Sequence, residues 1–187
     1  MSNDDHTDTF VLQEFRLRAS ASVDDVARIV ATFAPDTEPV PLLISIDDQR
    51  DVATLRAVHS GESVEADPRE RAALGSLVTS WQPLRQYGPR ITERSDSPPS
   101  YYRLAVTESG INDLDPAPLA TFPRKLNQAS SSMHLGLLWI GLPLGTHAGL
   151  LTLVGSDGDE LAMRPDPSVW PLPLSRPLGV RIYESRR

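Results

Sequence analysis

The sequence predicts an α+β domain built on a mostly antiparallel sheet, and three observations carry that expectation. The run Leu135–Val154 is almost wholly apolar, but Gly141, Pro143, Gly145 and Gly149 interrupt it, so it reads as two buried strands joined by a turn and not as a membrane helix. Residues 10–46 follow strand, helix and strand patterns in that order. Asp157-Gly158 between flanking strand patterns is a strong hairpin signal, because both turn positions favour positive φ. The expected architecture is a sheet with a strand–helix–strand start, a C-terminal β-meander and two or three helices packed on it.

The acidic residues 1–8 form a disordered tail in this reading, and 9–187 form one domain. Phe10, Leu12, Phe15 and Leu17 fit a strand that breaks phase once, at a bulge. Ser22 and Asp25 have capping-box spacing, and Val23, Val26, Val30 and Phe33 make one apolar stripe, so 22–33 is a helix stopped by Pro35. Val40–Ile46 is an interior strand. This opening resembles ferredoxin-like proteins, a similarity that unrelated functions share.

Asp48 to Val58 is expected to be a short helix, with Val52, Leu55 and Val58 facing inward. Asp67-Pro68-Arg69-Glu70 starts a stronger one: an Asp cap, Pro at the first helical position and an acid three residues after the cap. Its buried face is Ala73, Leu74, Leu77, Val78 and Trp81. Residues 86–100 read as a loop, Tyr101–Thr107 as a strand, and 108–132 as a long loop broken by Pro116, Pro118 and Pro123. In the apolar hairpin the expected register sets Leu142 opposite Gly149, Ile140 opposite Leu151 and Trp139 opposite Thr152. Glu160–Arg164 is the return strand of the second hairpin, 165–177 a proline-rich crossing, and Gly179–Tyr183 an edge strand. No internal repeat is evident.

Composition narrows the chemistry. The 187 residues, 40% of them hydrophobic, suffice for a core, and with no cysteine the chain has neither disulfides nor a thiol nucleophile. A net charge of −7 and a pI near 5.0 argue against nucleic acid and anionic membrane surfaces, and leave room for a basic protein partner. Lys125 is the only lysine, and no P-loop or Schiff-base motif surrounds it. The opening MSNDDHTD is unlike a secretory leader, which sets the expectation of a cytoplasmic protein. The preference for arginine, with abundant Pro, Leu and Ala, fits a GC-rich bacterial or phage genome.

Each candidate site has a plainer explanation beside it. Asp47 and Asp48 end an apolar strand, where carboxylates can hold Mg²⁺, but Asp48 would equally cap a following helix. With His59 as a helper, or His134 near Asp157 as a general base, they are the residues an enzyme would use. Ser130, Ser131 and Ser132 lack a nucleophile elbow, and Asp157, Asp159 and Glu160 lack the rest of a calcium loop. Arg85, Tyr87, Arg90, Arg94, Tyr101, Tyr102 and Arg103 form a basic, aromatic tract that could hold RNA or an anion. Trp139 and Trp170 are candidate interface anchors. Pro171–Arg176 departs from an SH3 ligand at Leu174.

No catalytic constellation, metal set or cofactor motif emerges. The expectation is therefore a non-catalytic protein-interaction module, such as an inhibitor, a chaperone or an assembly subunit of a bacterial or phage system. A metal-dependent hydrolase or phosphoryl-transfer enzyme using the Asp-Asp strand end is the first alternative. An RNA or anion binder using the Arg/Tyr tract is the second.

Overall fold

The computed structural model describes residues 9–33, 42–58, 65–94, 99–108, 135–144, 149–156 and 179–185. In chain order these form β1 (Thr9–Leu17), α1 (Val23–Phe33), β2 (Leu43–Ser45), β3 (Asp51–Val58), α2 (Pro68–Leu74), β4 (Val78–Trp81), β5 (Arg85–Arg94), β6 (Tyr101–Glu108), β7 (Leu135–Leu144), β8 (Leu150–Ser156) and β9 (Gly179–Ser185). The sheet is mixed with two helices among the described residues, and it closes on itself. Neighbouring strands run β3-β2-β9-β6-β8-β7-β5-β1, and β1 returns to pair with β3, giving an eight-stranded antiparallel barrel. β4 extends this wall on β1, beyond the end of β5.

The barrel is two copies of one pattern. In the first half β1 pairs with β3, β3 with β2, and β1 with β4 and β5. In the second half β6 pairs with β8, β8 with β7, and β6 with β9. The halves are stitched by β5 to β7 and β2 to β9. Side chains repeat as well: Leu12 lies opposite Arg85 and Phe10 opposite Tyr87, as Val106 lies opposite Arg181 and Leu104 opposite Tyr183. The expectation of no internal repeat is thus corrected. The first half, with its α1 and α2, is the β-α-β-β-α-β arrangement that the opening resembled.

Strand alternation sorts the chain into two apolar layers. Phe10, Leu12, Ala53, Leu55, Leu104, Val106, Trp139 and Leu153 fill the barrel. Phe15, Leu17, Val52 and Val78 point outward and are covered by Val26 and Val30 of α1 and Leu74 of α2. A strand buried on both faces loses its period-two signature, and this explains why a strand stands where a helix is expected. In 48–58, Val52 faces the helices while Ala53 and Leu55 face the interior, so apolar spacing mimics a helix where the chain forms β3. Asp48 makes a tight turn instead of a helix cap: its carboxylate accepts from the Arg50 N–H at 3.0 Å, and its carbonyl from the Asp51 N–H at 2.9 Å.

Other elements follow with corrections. β1, α1 and β6 form where expected. The bulge expected between Leu12 and Phe15 is corrected: β1 pairs with β3 in unbroken register there, and the phase changes because Phe10 and Leu12 face the barrel whereas Phe15 and Leu17 face the helices. The register with β4 shifts further on, between Arg16 and Leu17. The helix begun at Pro68 ends at Leu74; Leu77 closes a turn onto Leu74, Val78–Trp81 is a strand, and Ala73 is exposed. Residues 85–94 are strand and not loop, and their pairing with β7 slips between Pro89 and Ile91, where proline gives no ladder donor. The apolar hairpin exists as β7 and β8, one residue away from the expected register, with Trp139 opposite Leu153 and Ile140 opposite Thr152. Among the described residues the C-terminal strands do not follow one another as a meander: β8 lies between β7 and β6, and β9 is interior to the sheet, between β6 and β2. The expected tail, the bulk of the 108–132 loop, the return strand 160–164 and the crossing 165–177 lie outside the described residues.

Asp67 caps α2 as its spacing foretold, accepting from the Arg69 N–H at 2.8 Å, and that hydrogen bond holds its carboxyl below the usual range. In urea unfolding, Asp67→Ala is expected to lower the midpoint, while Asp67→Asn, which keeps the acceptor, stays close to wild type. Because the carboxyl is depressed in the folded state, this contribution is present above the ordinary Asp value of 3.8 and fades as pH falls below it.

Candidate functional site

Among the described residues, two cavities flank β1 on its opposite sides. The outer one, about 300 Å³, lies between the helices and the outward face of the sheet. Val11, Gln13 and Phe15 of β1 and Thr54, Arg56 and Val58 of β3 form its floor. Phe33 at the end of α1, Ala66, Glu70 and Arg71 at α2, and Trp81 and Leu84 at the junction of β4 and β5 form its walls. The rings of Phe15 and Trp81 pack with centroids 4.9 Å apart, and the Arg71 guanidinium lies 5.0 Å from the Trp81 ring centroid.

Against these apolar walls stand two polar features. Arg56, opposite Val11 in the β1–β3 register, donates from Nη2 to Glu70 Oε2 at 2.5 Å. Glu70 occupies the acid position of the capping signal, but its carboxylate serves Arg56. Gln13 is the other: only 8% exposed, it donates from Nε2 to the Gln82 carbonyl at 2.7 Å and to the Glu14 carbonyl at 3.1 Å. Its Oε1 is buried and meets no donor among the described residues. Leaving such an acceptor dry costs about 1–3 kcal/mol, so a built-in orphan of this kind at a cavity invites a donor from outside.

The inner cavity, about 370 Å³, opens at one end of the barrel and is polar, with Glu14, Arg85, Glu108, Arg181 and Tyr183 among its walls. Its charges answer one another. Arg181 donates from Nε to Glu14 Oε1 at 2.7 Å, from Nη2 to Glu14 Oε2 at 3.1 Å and from Nη1 to Glu108 Oε1 at 2.8 Å. Tyr183 donates its hydroxyl to Glu14 at 2.5 Å, and burial followed by the nearby Glu14 charge pushes that phenol well above its ordinary pKa. The Arg181 hydrogen bond holds Glu108 below the usual glutamate range. Arg181 thus ties a strand of the first half to a strand of the second. This network seals the fold; the outer cavity, with an orphaned acceptor, is the candidate site.

The residues singled out from sequence fall elsewhere. Arg16 donates to Asp48 and to Asp51, each at 2.7 Å, so a guanidinium occupies the place beside those acids where a metal was considered. The Arg50 N–H and then Arg16 hold the Asp48 carboxyl below its usual value. Asp47 donates its backbone N–H to Ser45 Oγ at 3.2 Å. Among the described residues no three His, Cys, Asp or Glu side chains converge as a metal site would require. His59, His134 and Trp170 lie outside those residues.

Within the Arg/Tyr tract, Tyr87, Tyr101 and Arg103 are not at the surface. Arg103 is fully buried and bonds Glu184 on β9, with Nε at 3.0 Å from Oε1, while Tyr101 is fully buried and Tyr102 packs on the interior cluster. Arg90 and Arg94 fall on β5, outside the described side chains. Trp139, expected at an interface, is wholly inside the barrel, edge-on to Phe10 at 4.7 Å. No helix among the described residues is long and apolar enough to cross a membrane.

No family model and no curated protein matches this sequence. Solved structures do share the fold. A candidate monooxygenase from Lactobacillus acidophilus NCFM superposes with a TM-score of 0.60 at 11% identity, covering 95% of this chain and 93% of its own. A candidate chlorite dismutase superposes at 0.55 with 12% identity, covering 97% and 96%. An anthrone oxidase-like protein does so at 0.53 with 13% identity, covering 100% and 94%. At such identities the likeness is one of fold, over nearly the full length of each chain. It overturns the expectation of a non-catalytic module defined by protein binding and membership of a complex, together with the hydrolase and RNA-binding alternatives.

Proposed function

We propose that the protein holds a small organic molecule with an apolar body in the outer cavity and acts on it oxidatively. The observation that carries this is the cavity: substrate-sized, lined by Phe15, Phe33, Trp81 and aliphatic side chains, with few and well-placed polar groups. The names borne by the fold neighbours, monooxygenase and anthrone oxidase-like, favour oxidation by dioxygen over other chemistries. In this reading the contacting rings of Phe15 and Trp81 form one aromatic wall against which a flat ring system packs. Glu70 is the buried carboxylate positioned to take a proton from an acidic C–H or O–H of the substrate. Arg56 stands beside it, where it stabilises the negative charge left behind.

Calorimetric titration with anthrone and with 1-naphthol tests the binding. Saturable heat is expected for both, and Ala66→Phe, which fills a partly exposed wall position, is expected to weaken each at least about tenfold without lowering the thermal midpoint. An oxygen electrode tests the chemistry: anthrone is expected to draw down dioxygen faster with the protein than without it, and Glu70→Gln to slow that uptake. Absence of heat with both compounds overturns the cavity as a binding site; binding without accelerated uptake overturns the oxidative step.

A further inference from the structure

We infer that Gln13 makes the cavity selective for ligands that carry a hydrogen-bond donor: an apolar molecule bearing a hydroxyl or N–H enters, and its O-methyl or N-methyl counterpart is rejected. This rests on the cavity reading above and names the residue that sets its specificity.

The direction of the Gln13 amide is fixed by the backbone around it. Turning the amide over would bring Oε1 against the Gln82 carbonyl, now 2.7 Å from Nε2, and the Glu14 carbonyl, now 3.1 Å away. Two carbonyl oxygens cannot serve an acceptor, so Nε2 must face them and Oε1 must face away. The lock comes from an irregularity in the sheet. On β1, Phe15 pairs with Trp81 and Leu12 with Arg85. Gln13 and Glu14 therefore lie across from three residues, Gln82, Pro83 and Leu84, and the extra residue bulges. Pro83 has no N–H for the ladder. Gln82 keeps its N–H on the Glu14 carbonyl at 2.9 Å and turns its own carbonyl to the Gln13 side chain.

The result is an acceptor whose side chain is more than nine-tenths buried, among the residues lining an apolar cavity and without a donor among the described residues. A ligand that brings a donor to it completes the bond that the fold leaves unmade; one that brings a methyl group leaves the oxygen dry. Gln13 thus acts as a filter on the ligand's polar group, whereas the aromatic walls accept its body.

The test uses wild-type protein and a matched pair, 1-naphthol and 1-methoxynaphthalene, titrated calorimetrically. The expected result is binding of the naphthol with the ether at least about tenfold weaker. In ¹⁵N-labelled protein the Gln13 side-chain amide resonance is expected to shift with the naphthol and to stay with the ether. Gln13→Met, of similar length but without the acceptor, is expected to bind the two compounds alike. Equal affinities in wild type overturn the inference and leave the cavity standing, whereas no binding of either compound takes down the cavity reading itself. Discrimination that persists in a folded Gln13→Met variant, or naphthol binding that leaves the Gln13 resonance unmoved, also overturns it. The resonance decides the matter if Gln13→Met does not fold.

Discussion

Replacing Arg181 with methionine is expected to destabilise the protein by about 3 kcal/mol, lowering the thermal midpoint by roughly 10 °C for a chain of this size. Glu14 is the reason. Its side chain is 6% exposed, and both its oxygens face the guanidinium, so truncating Arg181 leaves a buried carboxylate with Tyr183 as its remaining donor in the network. The value is placed at the lower end for a broken buried pair because Arg181 itself is 37% exposed and some of its attraction is screened. Arg16→Met is the contrasting variant. Its partners Asp48 and Asp51 lie at the surface, and little change is expected there.

The same geometry gives the destabilisation a pH dependence. Glu108 is held below the ordinary glutamate value of 4.5, chiefly by its hydrogen bond from Arg181. A carboxyl depressed in the folded state adds stability that is present above 4.5 and is lost as pH falls through the folded value. Arg181→Met keeps only the smaller share that Arg85 supplies. The gap in midpoint between wild type and variant should therefore narrow on acidification below 4.5. A gap that stays constant from neutral to acid pH would mean that Arg181 contributes through packing alone.

That network also shows which parts of the fold were legible in the sequence and which were not. Local signals read correctly: the Asp67-Pro68 helix start and the Val23–Phe33 stripe each rest on neighbours in sequence. The closure of the sheet rests on pairs far apart in the chain, β2 with β9 and β1 with β3, which no local pattern announces. A trace of the duplication was present all the same. Arg85-Gln86-Tyr87 reappears as Arg181-Ile182-Tyr183, and the order apolar, any, apolar, polar, Glu in Phe10–Glu14 reappears in Leu104–Glu108. Read as a surface tract, Arg85, Tyr87 and Arg103 pointed to an anion. Read as positions of strands covered on both faces, Arg85 and Tyr87 turn into the barrel and Arg103 turns out from it, and both arginines foretell ion pairs. The candidate site was hidden for a related reason: Gln13 and Arg56 are polar residues on strands covered from both sides, and their significance is visible only once the helices are known to lie above them.

The second large effect is expected from the smallest change, Gly141→Ala. A Cβ at Gly141 would lie 1.9 Å from Cη2 and 2.3 Å from Cζ3 of Trp139, two residues earlier on the same face of β7. The indole lies flat over the glycine, as aromatic side chains do where a strand offers no side chain of its own. It cannot swing aside cheaply, since it is fully buried and edge-on to Phe10 at 4.7 Å within the closed barrel. Overpacking of a closed core costs about 3 kcal/mol or more when no flexible end can yield. The measurement is a double-mutant cycle with Trp139→Leu, read by urea unfolding. Trp139→Leu alone is costly, because it empties the centre of the barrel, by roughly 3 kcal/mol. In that background the added methyl enters space the indole has left, so Gly141→Ala should cost little or even restore stability, giving a coupling energy of about 2–3 kcal/mol. Additive effects would mean that the strand backbone, and not the ring above it, requires glycine at this position.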